Sequence, residues 1–164
     1  MLGAILLTVG LLIPQAFSMP VVGATRADYN QKSFWYYPWG KSGTHKGVDI
    51  FAKEGTPVQA AVSGIVLFSG EIEMGGNVVL MLGPKWRLHY YAHLKTIDTS
   101  LLSFVSRKEI IGSVGTSGNA AGKQPHLHYS ILTLVPYVWQ TDADHQGWKK
   151  MFYINPIPLL EEMQ

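Results

Sequence analysis

The 164-residue sequence has no cysteine. Thiolate metal sites and cysteine nucleophiles are therefore excluded. Any metal must be held by nitrogen and oxygen ligands. Charge is also scarce: charged residues make up 15% of the chain against 47% hydrophobic, with a net charge of +2. That balance is too small to argue for nucleic acid, and no Lys/Arg-rich tract compensates. No charge precedes Arg26, and Leu2 to Ile13 is almost wholly apolar. The run is shorter than the ~20 apolar residues a membrane-spanning helix needs. Its length suits the core of an export signal, with Ala16 and Ser18 as the small residues before a cut at Met19. The expectation is a cleaved signal over residues 1–18, with no stable membrane span after cleavage. The protein would then be exported to the periplasm, the cell envelope or the medium. A retained N-terminal anchor is the alternative. Pro14 and Pro20 argue against a buried core segment.

Glycine and proline are plentiful, at 17 and 9 residues. They cut the chain into short β-branched and apolar stretches. Gly47–Phe51, Val58–Ala61, Gly64–Phe68, Asn77–Leu82, Trp86–His93, Ile110–Val114 and His126–Leu134 read as strands between turns. The pattern predicts an all-β domain, sandwich- or barrel-like, with little helix. Only Leu94 to Phe104 suggests a helical turn or two. The length suits one domain. It is placed at 39–160, after an entry segment at 19–38 and before a tail at 161–164. A dense aromatic stretch, Phe34 to Trp39, precedes the glycine-bearing loop Gly40 to Thr44.

The chemistry concentrates on histidine. His126 and His128 stand at i and i+2 on a strand, so both project to one face. His45 and Asp49 lie four apart, with Gly47 between them to let the backbone bend. His45, Asp49 and one histidine of the 126/128 pair make a three-ligand set of the kind that binds catalytic zinc. Zinc in such a site lowers the pKa of its water to about 7. His93 and the other member of the pair then remain for acid–base work. His89 shares a strand face with His93 and is assigned to structure or surface, and His145 to the solvated surface.

These residues fall into recognisable motifs. His45-Lys46-Gly47-Val48-Asp49, Tyr91-Ala92-His93-Leu94 and His126-Leu127-His128, the last after Gly115-Thr116-Ser117-Gly118-Asn119 and Pro125, resemble the M23 zinc metallopeptidases of lysostaphin/LytM type. The likeness runs from about Trp39 to Leu160. It implies zinc ligands at His45, Asp49 and His128, and a catalytic pair at His93 and His126. It implies a mostly antiparallel β fold of lysostaphin type with the site in a groove along the sheet. It also implies cleavage of peptidoglycan stem peptides, at glycine bridges or D-Ala cross-links. The resemblance leaves Tyr36, Tyr37 and Trp39 as candidates for a group contacting the transition state. One departure is Lys108, where the family usually has glycine, so a positive φ there would be strained. Two other readings stand beside this one. A non-catalytic LytM-like module would activate another wall hydrolase through a regulatory contact with an unidentified protein. A carrier-type barrel is suggested by Lys53 to Val58 with Ser63 to Val66, but no lysine sits at a hairpin tip between methionines.

Overall fold

The computed structural model describes residues 2–162. Nine strands form one antiparallel sheet: β1 (Val48–Phe51), β2 (Pro57–Gln59), β3 (Gly64–Ile72), β4 (Gly76–Gly83), β5 (Arg87–Ile97), β6 (Phe104–Val105), β7 (Ile110–Val114), β8 (His126–Thr133) and β9 (Tyr153–Ile154). The main path runs β1-β8-β5-β4-β3-β6, with β7 joining β5 to β2 and β9 pairing with β8. Helix is confined to α1 (Leu2–Leu12), α2 (Ile157–Glu161) and short 3-10 turns. Among the described residues no helix is long and apolar enough to cross a membrane. The all-β expectation holds.

Alternation along three strands makes one face core and the other face groove. Val48 and Ile50 of β1, Leu127, Tyr129 and Ile131 of β8, and His89 and Tyr91 of β5 are fully buried. Their neighbours Asp49, Phe51, His126, His128, Tyr90 and Ala92 line the opposite, open side. A period of two explains both sets at once. The buried aliphatic side chains contribute about 1.5–3 kcal/mol each.

Two expectations need correcting. Leu94 to Phe104 holds no helix. Strand β5 instead continues to Ile97, because β7 offers it a ladder: Leu94 pairs with Val114, Thr96 with Ser113 and Ile97 with Gly112. The β-branched Thr96 and Ile97 suit that pairing. His89 and His93 also do not share a strand face. The backbone at His93 turns left-handed (φ 64°), which breaks the alternation between them. Lys108 does take a positive φ, 73°, in the turn before β7. Its N–H bonds Ala60 C=O at 2.9 Å, so pairing holds lysine in a conformation that costs about 1–2 kcal/mol outside glycine.

Residues 15–21 run along the sheet and are tied to it. Ser18 is buried, and its N–H donates to Ala61 C=O at 2.8 Å. Arg107 donates to Ser18 Oγ at 2.7 Å and to Phe17 C=O at 3.2 Å. The Phe17 ring lies 6.1 Å from Tyr129 and 6.5 Å from His89. Val21 is buried and bridges Val58. A protein beginning at Met19 is therefore expected to unfold at lower urea than the full chain. Phe17→Ala alone should cost about 2 kcal/mol, below the full-burial range because the ring is half exposed; equal urea midpoints would show that the segment adds nothing.

His89 is sealed in the core with Nδ1 2.6 Å from the Tyr129 hydroxyl. Burial, aided by the nearby Arg87 charge, pushes its pKa down to about 3. The unfolded chain, with an ordinary histidine near 6.5, binds the proton first. Stability from this group is complete above pH 6.5 and drains as pH falls toward 3. Between pH 6 and 4 the protein should lose up to about 1.4 kcal/mol per pH unit more than a His89→Gln variant. Urea melts at stepped pH would show parallel slopes if the buried imidazole were not the cause.

Candidate active site

The site starts from strand register. Asp49 on β1 sits directly opposite His128 on β8, and Phe51 opposite His126. His128 is in turn opposite Ala92 on β5. The cross-strand partners Asp49 and His128 meet with Oδ1 and Nδ1 2.8 Å apart. His45 enters from the loop before β1, with Nε2 3.0 Å from the same carboxylate oxygen and 3.1 Å from His128 Nδ1. Three donor atoms thus share one point. Ligand atoms around a tetrahedral ion at ~2.0–2.2 Å lie roughly 3.3 Å apart. The triangle fits such an ion with a few tenths of an ångström of opening.

The outer hydrogen bonds fix which way the lone pairs face. His45 Nδ1–H donates to Ser33 C=O at 3.0 Å, and a carbonyl can only accept. His45 Nε2 is therefore the lone-pair nitrogen. Ser130 Oγ–H donates to Lys46 C=O at 2.8 Å, so Ser130 Oγ accepts from His128 Nε2–H at 3.0 Å. His128 Nδ1 is then the lone-pair nitrogen. Burial would raise the Asp49 carboxyl, but the His128 and His45 imidazoles outweigh it and hold the carboxyl well below the usual carboxylate range. Burial likewise pushes His128 down, toward the neutral ring. In these tautomers both imidazoles and the carboxylate can present acceptors to one point. Outer hydrogen bonds of this kind orient metal-binding imidazoles.

His93 and His126 flank the cluster. His93 Nδ1–H donates to Ser117 C=O at 2.9 Å, and His126 Nδ1–H to Gln124 C=O at 2.8 Å. Both therefore turn a free Nε2 toward the groove. The two rings are 5.1 Å apart, and His126 Nε2 lies 3.9 Å from Asp49 Oδ2. Burial, with the neighbouring His128 and His126, lowers His93 to about 4, so it is a neutral proton acceptor at pH 7. Strict alternation would have buried its side chain beside Tyr91. The left-handed turn re-aims it, as bulges next to functional sites do.

An open groove of about 430 Å³ holds these groups, with Trp39, Lys41, Lys46, Met74, Tyr90 and Lys123 among its walls. Trp39 stacks on His45 at 4.2 Å and so braces that ligand candidate. All five residues expected from the sequence meet here. His145 does not: it is exposed and stacks on Tyr37 at 4.3 Å. Tyr37 is thereby held outside the groove, and Tyr36 lines an adjoining pocket of about 280 Å³. Tyr90 and Ser130 reach the site without having been singled out. Ser130 was legible as the next same-face position after His126 and His128. The Ser33, Ser117 and Gln124 contributions are backbone carbonyls and leave no side-chain signal.

Fold and site together define a β domain with a nitrogen–oxygen cluster suited to a divalent metal. The model of peptidase family M23 matches residues 43–140, and the chain belongs to that family. It is 38% identical to the DD-carboxypeptidase/endopeptidase Mpg of Neisseria meningitidis serogroup B over 85 residues, 52% of this chain and 19% of Mpg. It is 35% identical to lysostaphin of Staphylococcus simulans over 107 residues, 62% of this chain and 21% of lysostaphin. To the peptidoglycan DD-endopeptidase ShyC of Vibrio cholerae it is 33% identical over 93 residues, 57% of this chain and 21% of ShyC. The chain spans about a fifth of the length of these curated relatives. The catalytic domain of the antimicrobial peptidase lysostaphin from S. simulans superposes with a TM-score of 0.63 at 27% identity, covering 79% of this chain and 89% of that domain.

Gly47 shows how tightly the cluster is framed. A Cβ there would lie 2.5 Å from Tyr129 C=O and Ser130 Oγ and 3.0 Å from His128 Cε1. The carbonyl cannot move without parting β1 from β8. Gly47→Ala should destabilise the fold by about 1–3 kcal/mol and displace the His128 ring. Urea melts with imidazole NMR would check this; unchanged His128 resonances would mean the frame is looser than described.

Proposed function

We propose that this domain is a zinc endopeptidase cutting peptide cross-links of bacterial peptidoglycan, with His45, Asp49 and His128 holding the metal. The carrying observation is the convergence of three acceptor atoms, 2.8–3.1 Å apart, whose tautomers the outer hydrogen bonds fix toward one point. Peptidase relatives with DD-endopeptidase and glycyl-glycine endopeptidase names support the reaction class. Zinc bound there would supply Lewis acidity toward a carbonyl and make a water acidic enough to attack near neutral pH.

The chain's own groups handle the protons. The Nε2 atoms of His93 and His126 face the groove as acceptors, held in that tautomer by Ser117 and Gln124. One takes the proton from the water as its oxygen bonds the scissile carbon. The resulting imidazolium donates to the oxyanion and then to the leaving nitrogen as the C–N bond breaks. Asp49 Oδ2, 3.9 Å from His126 Nε2, favours the charged ring during that step. Action on the wall places the protein in the cell envelope or outside the cell.

Incubation with purified sacculi and mass spectrometry of the fragments tests the reading. New amino ends on stem peptides are expected; none, with stoichiometric zinc bound, would end it. Asp49→Ala and His128→Ala should bind less than one zinc per chain. His93→Ala and His126→Ala should keep zinc but lose on the order of 10²–10⁴-fold in turnover. Full zinc in the first pair, or near-normal rates in the second, would overturn the assigned roles.

A further inference from the structure

The groove carries more positive charge than its chemistry needs. Lys41, Lys46 and Lys123 all line it, and its one acid, Asp49, is committed to the histidine cluster. Among the described residues no carboxylate lies within ion-pair distance of these lysines. Elsewhere Lys95 pairs with Glu54 at 3.0 Å, and Lys150 with Asp142 and Asp144. The whole chain has a net charge of only +2, yet three of its ten lysines line this one groove beside a single acid.

The three charges come from separate loop positions. Lys41 is exposed on the 3-10 turn Gly40–Ser42. Lys123 is exposed on the loop between β7 and β8, next to the Gln124 whose carbonyl orients His126. Lys46 is half-buried, and its ammonium donates to Ser42 C=O at 2.9 Å and Thr44 C=O at 3.4 Å. Those carbonyls fix its position without neutralising it. A concave wall with one sign of charge focuses its field on what enters.

We infer that the groove selects cross-link peptides bearing free carboxylates over uncharged glycine bridges, with Lys41, Lys46 and Lys123 as the selecting residues. This rests on the endopeptidase reading and sharpens it to a substrate class. An exposed charge pair changes affinity only a few-fold, so three together give on the order of tenfold. The effect falls on binding and not on the chemical step, because none of the three reaches the acceptor cluster.

Two synthetic peptide dimers separate the possibilities: a cross-linked stem-peptide dimer with free carboxylates, and the same dimer with every carboxylate converted to carboxamide. Binding to the full zinc-loaded chain is followed by tryptophan fluorescence, using His93→Ala so that nothing is cut. Cleavage by the wild-type chain is measured in parallel. The acid dimer should bind about tenfold tighter than the amide at 20 mM salt. In the background of Lys41→Gln with Lys123→Gln that ratio should fall to about twofold, and 0.5 M NaCl should have the same effect by screening. Equal binding of acid and amide, or a preference that survives both substitutions, would overturn the inference. Cleavage of neither dimer alongside selective binding would sink the endopeptidase reading and leave the selection standing. Cleavage of both with equal KM would do the reverse.

Discussion

The contact on which the site depends is the pairing of Asp49 with His128 across β1 and β8. It is a register fact before it is a chemical one. A slip of β1 by one residue would turn Asp49 into the core and bring Val48 into the groove, parting Asp49 from His128. The fully buried Val48, Ile50, Leu127 and Tyr129 forbid that slip. Apolar burial on one face therefore fixes donor positions on the other. His45 completes the set from a loop, and its placement is secured by Ser33 behind and the Trp39 ring above.

The same contact sets the electrostatics. Asp49 stays ionised because two imidazoles face it, and His128 is pushed toward neutrality by burial. A divalent cation would gather these three donor atoms, which stand about 3 Å apart, around itself. Ion binding and folding stability are then coupled, as in metal sites generally. Around this lies a second, longer-ranged field from the groove lysines. On the proposed function, the inner cluster would hold a divalent cation while the outer rim would sense the charge of a peptide.

Much of this was legible in the sequence. Strand existence followed from glycine and proline punctuation and from period two. The five histidine and aspartate residues that meet in the groove followed from spacing and from the M23 motifs. What escaped had physical reasons. The stretch Leu94 to Ile97 looked neither strongly helical nor strongly β, and tertiary pairing with β7 decided it. Local pattern carries no record of a partner strand. The Phe17–Ser18 contacts escaped because the small and apolar residues before Met19 read as the end of an export signal. The orienting carbonyls of Ser33, Ser117 and Gln124 escaped because every residue has one.

His93 is the instructive case, since its motif singled it out while its backbone was not legible. A non-glycine residue at φ 64° costs about 1–2 kcal/mol. The surroundings hold it there. Its N–H donates to Gly75 C=O at 2.8 Å, and its Nδ1–H to Ser117 C=O at 2.9 Å. Ser117 Oγ in turn bonds Leu94 C=O at 2.8 Å and Asn77 N–H at 2.9 Å. Gly76 and Gly118, each at positive φ of 63°, approach so closely that a Cβ on either would strike the other's loop. The β3–β4 turn and the β7–β8 loop thereby close on the kink as one clamp. Regular alternation would have given a smoother strand with His93 buried beside Tyr91 and Leu94 facing the groove. The kink instead buries Leu94 and delivers an imidazole to the groove. The strain is the cost of putting two successive side chains, Ala92 and His93, against the same groove.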